Sequence, residues 1–289
     1  MFSILIPCYD YPTYDLVNVL FNQCKDLNIV FEILVSEDGG KTHLEDNKKI
    51  NKLDNCQYLI NQTNLGRAGN INRLLKVSKY HLKLIVDCDV WPKTTQFISY
   101  YLNLSSKLET AICFGGIAYN KLNKTKNLRY NYGIKRESRP ANYRQKNPIK
   151  SLLTSNLLLK NCSEQFDERI NTYGYEDLVF AQNIYEKNID IIHTDNPVYH
   201  NNLETNEVYL SKTQNALKNL ISLEKNKIIK PNLTNISRIY HAFSRLYLNG
   251  ILNLSYNIMS RVLYKHLLVY GRPLWLFDIY KLLFFSKHY

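Results

Sequence analysis

"LKLIVDCDVWP", residues 82–92, drives an apolar run of Leu82, Leu84, Ile85 and Val86 straight into two aspartates, Asp87 and Asp89, one residue apart. A strand buried on both faces reads as such a run, and open α/β sheets bind ligands beyond the carboxyl ends of their strands. On that reading the aspartates are aimed at a ligand. An isolated Asp-x-Asp is equally at home in a solvated strand-to-helix turn, with Pro92 opening the next helix. The rest of the chain has to decide.

Upstream, short apolar runs alternate with segments of helical period, the pattern of β-α-β units and a mostly parallel sheet. "FSILIP" (2–7), "FEILVS" (31–36), "CQYLI" (56–60) and "LKLIV" (82–86) are strands. Leu16, Leu20, Cys24 and Leu27 share one helical face after Pro12, and further helices are expected near 43–53 and 67–79. Downstream, "AICFGGI" (111–117) is another strand, followed after a basic tract by "LLTSNLLL", a helix from about Glu176 to Lys187, the strand "DIIH" and "NPVYH". A polar helix is expected from Glu207 to Lys227. Pro231 marks a boundary, giving a domain over 1–230 and an extension over 231–289 made of three helix-like segments.

A chain of 289 residues suits one large α/β domain, or a domain of ~200 residues with an appendage. Met1 runs directly into the first strand, so no targeting segment is expected and the cytoplasm is the default location. The six cysteines show no Cys-x-x-Cys pairing and read as buried free thiols. The net charge of +12 is uneven: residues 119–150 hold ten Lys or Arg against one acid, residues 231–289 hold seven against one, and the remainder is mildly acidic. That distribution points to an anionic partner: a diphosphate, a lipid surface or a nucleic acid. The tract at 119–151 is too polar and too rich in Asn, Lys and Pro to hold a core, so a loop is expected there.

In a parallel sheet the ends "SEDGG" and "DCD" share one edge, which brings Asp38 to Asp87 and Asp89. Like charges gathered there need a cation or hydrogen-bond donors to offset them. A hard divalent ion, Mg²⁺ or Mn²⁺, suits carboxylate oxygens and bridges to substrate phosphates. Glu176 and Asp177 stand at a helix start, where the macrodipole favours negative charge; they are either a base and its neighbour or simple capping residues.

"SILIPCYD", "VSEDGG", "NLGRAGNINRLL", "LIVDCDVWP", "SNLLL", "FDERINTYGYEDLVFAQNIYEKNI" and "NPVYH" resemble, in that order, the successive motifs of family-2-type glycosyltransferases with the GT-A fold. The resemblance covers roughly residues 2–205. It implies a GT-A, Rossmann-like sheet flanked by helices, with a C-terminal helical appendage, and a nucleotide-diphosphate sugar donor. It also implies a glycan or lipid-linked acceptor, a Mn²⁺ or Mg²⁺ cofactor and an inverting outcome. By the same resemblance Asp38 holds the nucleotide base, Asp87 the ribose and Asp89 the metal, with His200 completing the metal site. Asp177 is the general base and Glu176 binds the acceptor. Gly39 and Gly40 stand where Gly-Ser is usual in the family. Arg67 and Arg73 depart from its commoner "ARN" arrangement; they either approach the diphosphate or are solvated helix-face charges.

The C-terminal segment combines apolar helical spacing with basic residues, and Trp275, Tyr280, Phe284 and Phe285 read as interfacial aromatics. No run is long enough for a spanning helix. The segment is expected to meet an anionic membrane at the inner face of the cell membrane, with a packed helical cap or a dimer interface as the alternative. The oligomeric state is left open. A non-enzymatic nucleic-acid-binding protein is the competing function class, yet it gains nothing from Asp38, Asp87, Asp89 and Asp177, and no nucleic-acid partner is expected.

Overall fold

The computed structural model describes residues 1–122, 125–170, 174–200 and 203–289. The chain divides into two compact units: Met1–Asn120, Ser138–Asn171 and Glu176–Asn202 form one, and Lys121–Glu137, Thr172–Tyr175 and Leu203–Tyr289 the other.

Among its described residues the first unit holds ten strands: β1 (Phe2–Cys8), β2 (Phe31–Glu37), β3 (Cys56–Ile60), β4 (Leu82–Val86), β5 (Val90–Pro92), β6 (Ala111–Phe114), β7 (Ile117–Ala118), β8 (Asn156–Lys160), β9 (Asp190–His193) and β10 (Val198–His200). Seven form one sheet in the order β3-β2-β1-β4-β8-β6-β9. β1 pairs in parallel with β2 and β4, β2 with β3, and β6 with β9. β8 runs antiparallel to both β4 and β6.

Alternate residues along the central strands enter opposite apolar clusters, which is why those strands read as apolar runs. Ile4, Ile6, Leu84 and Val86 join Leu16, Val17 and Leu20 of the helix Tyr14–Asp26 on one face. Leu5, Leu34 and Ile85 join Ala68, Ile71 and Leu74 of the helix Gly66–Val77, and Phe180 and Ile184 of the helix Glu176–Glu186, on the other.

Three expectations change. Pro92 does not open a helix; it ends β5, which pairs antiparallel with β10, and the next helix starts at Phe97. Lacking an N–H, proline sits well at the end of a short strand. The apolar stretch 111–117 is two strands in two sheets, because Gly115 and Gly116 turn the chain from β6 into β7, where β7 joins β5 and β10. A Cβ on Gly115 would stand 2.3 Å from the Tyr101 hydroxyl and 2.4 Å from the Asn196 carbonyl.

The basic tract is not a coreless loop. Its described residues form the helices Leu128–Tyr132, Ala141–Arg144 and Pro148–Ser151 and a π-helical turn at Gly133–Glu137, with Leu128, Tyr130 and Arg144 buried. Asn123 and Lys124 lie outside the described residues. Two of its cations are satisfied in the fold: Arg129 pairs with Glu137 at 2.8 Å, and Arg144 donates to the carbonyls of Gly115 and Thr194 while covering the Phe114 ring. All six cysteines are free; five are buried and Cys88 is half-buried.

In the second unit the helix Asn206–Lys225 packs Leu210, Leu217, Leu220 and Ile221 inward. Helices Asn235–Arg245, Asn249–Tyr270 and Leu274–His288 follow. Tyr280, Phe284 and Phe285 are buried, so three of the four aromatics expected at an interface are core; only Trp275 is exposed. The helix Leu274–His288 is apolar nearly all round, and its sequence does not say which side faces in. Among the described residues no helix is long and apolar enough to cross a membrane.

Candidate active site

The aspartates of "DCD" follow β4 in a turn with Cys88 between them. Cys88 packs against the cluster holding Leu84 and Val86. Its thiol is raised well above the ordinary range, first by the adjacent Cys8 side chain and then by burial. The Asp87 amide donates to the Ser155 carbonyl at 3.1 Å, extending the antiparallel pairing of β4 with β8 by one step. That step sets the residues ahead of β8, Thr154 and Ser155, beside Asp87.

Arg67, in the first turn of the helix Gly66–Val77, joins the acids. Its Nη2 lies 2.6 Å from Asp87 Oδ1 and 2.6 Å from Thr154 Oγ1, and its Nε lies 3.5 Å from Glu176 Oε1. Thr154 in turn donates its hydroxyl to Asp177 Oδ1 at 2.9 Å and its amide to Oδ2 at 3.3 Å. One guanidinium and one threonine therefore tie Asp87, Glu176 and Asp177 together.

The electrostatics follow from that crowding. Burial opposes the Arg67 charge, but Asp87, Asp177 and Glu176 outweigh it and hold the guanidinium above its ordinary range. The Asp177 carboxyl is pushed up to about 7, first by burial and then by the Glu176 charge, against the pull of Arg67 and Thr154. Asp89 is also raised, chiefly by burial, with His200 acting in the opposite direction.

His200 reaches Asp89 through the small sheet. β10 pairs antiparallel with β5 so that His200 stands opposite Val90, and its Nε2 lies 3.5 Å from Asp89 Oδ2. The Tyr119 ring flanks the imidazole at 5.8 Å, and among the described residues the buried His200 Nδ1 has no hydrogen-bond partner.

Asp38 sits at the same strand edge but in its own network. Its Oδ1 accepts from Asn61 Nδ2 at 2.7 Å and from the Leu65 amide at 2.8 Å, just ahead of the helix that carries Arg67. Gly40 follows because Glu37 and Asp10 occupy the space a side chain would need: a Cβ there would stand 2.3 Å from Glu37 Oε1 and 2.6 Å from Asp10 Oδ1. Arg73 is not among the gathered residues; its Nη1 approaches the Ile60 carbonyl at 3.4 Å.

Two neighbours of the acids were missed from sequence. Thr154 lies inside the quoted "LLTSNLLL", yet nothing local in that stretch signals an antiparallel insertion beside β4. Tyr11, whose hydroxyl is raised by burial and then by the Asp89 charge, follows β1 in "PCYDYP". Of the stretch 172–188, Thr172 and Tyr173 lie outside the described residues.

Residues 3–157 match the family described as Glycosyl transferase family 2. Among solved structures, the mannosyltransferase PcManGT from Pyrobaculum calidifontis, in complex with GDP-Man and Mn²⁺, superposes with a TM-score of 0.57 at 12% identity over 96% of this chain and 85% of that one. TarS 1–349 from S. aureus, in complex with UDP, gives 0.54 at 17% identity over 99% and 89%. Against a longer S. aureus TarS structure the coverage is 77% of this chain and 40% of that one, at a TM-score of 0.48. These likenesses are of fold, and the fold is GT-A. Curated protein sequences gave no match.

Proposed function

The chain belongs to glycosyl transferase family 2 and is a glycosyltransferase; from that premise we propose that it moves a sugar from a nucleotide-diphosphate donor to an acceptor hydroxyl, at the edge where β4 delivers Asp87 and Asp89. The observation that carries this reading is the shared tie of Arg67 and Thr154 to Asp87, Glu176 and Asp177, side chains spread over more than a hundred residues of sequence.

Asp177 is the base. As the acceptor oxygen bonds to C1 of the sugar and the bond from C1 to the diphosphate oxygen breaks, the hydroxyl proton passes to an Asp177 oxygen and the nucleoside diphosphate leaves. A carboxyl near 7 is matched to that task, since a base works best with its pKa near the working pH. Glu176 orients the acceptor, Asp87 takes the ribose, Asp38 the base ring, and Arg67 lies toward the diphosphate, while Arg73, held at the Ile60 carbonyl, takes no part. A single displacement with one base gives inversion at C1.

The donor set at Asp89 and His200 fits a divalent ion. One carboxylate and one imidazole with an uncommitted nitrogen are few for a closed protein cage. They suit Mn²⁺ or Mg²⁺, whose coordination is usually completed by water and substrate phosphate. Asp89 and His200 would hold the ion, and when bound it offsets the charge of the departing diphosphate. The acceptor class, a glycan or lipid-linked hydroxyl, rests on the family resemblance.

The test is hydrolysis and binding of a panel of UDP-, GDP- and dTDP-sugars with Mn²⁺ or with chelator. One donor should bind in a metal-dependent way, and Asp89→Ala should abolish turnover. Metal-independent turnover, or full activity in Asp89→Ala at limiting metal, would sink the assignment.

A further inference from the structure

The helix Asn249–Tyr270 has two faces that sequence alone does not separate. One turns inward: Leu252, Leu263 and Leu267 are buried, the Tyr256 ring meets Phe284 and His288, and Asn253 accepts from Ser286. The opposite face is aliphatic and open. Leu254 is 61% exposed, Ile258 66% and Val262 69%, with Ile251 and Val269 in the same row at helical spacing. The turn ahead of the helix adds Tyr247, 95% exposed. Isolated exposed leucines need no explanation, but a row of this length along one helix does.

The charge around the row selects its occupant. Arg261 and Lys265 lie on this face and are exposed, and the preceding helix ends in the exposed Arg245. Residues 231–289 carry one acid, Asp278, and it pairs with Arg136 at 2.7 Å and Lys281 at 3.1 Å. A second copy docking through the same face would set its own Arg261 and Lys265 against like charges, because a two-fold interface apposes identical patches. A nucleic acid would meet the basic residues but leave the aliphatic row in water.

We infer that this face of the helix Asn249–Tyr270 docks in the plane of an anionic lipid surface, with Ile251, Leu254, Ile258 and Val262 entering the acyl boundary and Arg261 and Lys265 reaching the headgroups. An aliphatic row with long basic side chains at its margin is the arrangement of an interfacial helix. The face differs from the one expected from sequence: Tyr280, Phe284 and Phe285 lie in the core, and the lipid-facing residues are aliphatic.

Co-sedimentation of the full chain with vesicles of phosphatidylcholine alone, or with roughly 30 mol % phosphatidylglycerol, tests this. Binding should require the anionic lipid and fall as salt rises. The double variant Arg261→Gln/Lys265→Gln should lower partitioning about 25-fold, each basic residue contributing about fivefold near an anionic surface. Ile258→Asp/Val262→Asp should abolish binding with the melting temperature unchanged; if that pair unfolds the chain, the charge variants and the lipid dependence still decide. Three results would overturn the inference. One is indifference to anionic vesicles. Another is a concentration-dependent dimer that Ile258→Asp/Val262→Asp disrupts. The last is binding that responds to the charge variants but not to a folded aspartate pair, which would be adsorption by charge alone.

Discussion

Two groups of acids stand at the same edge of the sheet and are held in different ways. In the turn after β2, acids receive neutral donors: Glu37 accepts from the amides of Asp10 and Gly40 and from the Tyr58 hydroxyl, Asp10 from the amides of Lys41 and Thr42, and Asp38 from Asn61 and the Leu65 amide. Beyond β4, Asp87, Glu176 and Asp177 share one guanidinium and one threonine, and Asp89 faces a histidine. Dipoles distributed over several donors stabilise each carboxylate separately. A single shared cation offsets less: burial first, and neighbouring acids second, raise Asp177 and Asp89. The first arrangement builds a turn. The second, on the proposed mechanism, keeps a carboxylate ready to take a proton.

The contrast can be broken most sharply at Asp177. Asp177→Asn should lower kcat by ~10² to 10⁴ with donor binding little changed, as loss of a general base does. In the wild-type enzyme kcat should fall as pH drops through about 7, where Asp177 becomes protonated. Stability should move the other way. A carboxyl raised from 3.8 to about 7 by the fold contributes stability that is complete below its ordinary value and lost as pH rises through 7. Metal-free Asp177→Asn should therefore be more stable than wild type at pH 8, by up to about 4 kcal/mol, and not at pH 4. Near-normal turnover would return Glu176 and Asp177 to the role of helix caps.

Removing the shared cation comes next. Arg67→Ala should cost about 3 kcal/mol of stability at pH 8, because breaking a partly buried ion pair leaves the remaining charges uncompensated. The cost should shrink toward pH 5 as Asp177 protonates. A denaturant titration at the two pH values reads the difference; a pH-independent loss would mean that Arg67 acts through packing.

In the turn the same logic predicts a smaller, flat response. Asp38→Asn weakens two hydrogen bonds to a charged acceptor and should cost about 1 to 2 kcal/mol, equally at pH 6 and 8. A pH-dependent cost would show that the two groups are electrostatically one.

Thr154→Val should have the smallest effect, about 1 kcal/mol or less in stability. Its informative readout is the pH profile of kcat, which should move to higher pH, since the Thr154 hydroxyl bond lowers the Asp177 carboxyl. An unmoved midpoint would assign the threonine to packing.

Much of this arrangement is legible in the residue order. The strands β1 to β4 lie where the apolar runs put them, and the acids follow those strands directly, because burial on both faces demands apolar residues at every position and solvent or ligand takes over where the run stops. Polar composition misled at 119–151, where Leu128 and Tyr130 are buried and Arg144 can be buried because carbonyls accept from it. It misled again at Tyr280, Phe284 and Phe285, because a helix that is apolar nearly all round has no period to mark its inner side.

What the residue order determined, then, is which segments are strands and which acids stand at their ends, because both depend on side chains a few positions apart. What only the tertiary structure decided is the company those acids keep. Ser155 meets Asp87, and Thr154 shares Arg67 with it, because β8 enters the sheet antiparallel between β4 and β6, and His200 meets Asp89 because β10 pairs with β5. Those pairings are chosen by burial and backbone hydrogen bonding across the whole sheet, and no local pattern of residues records a partner 70 or 110 positions away.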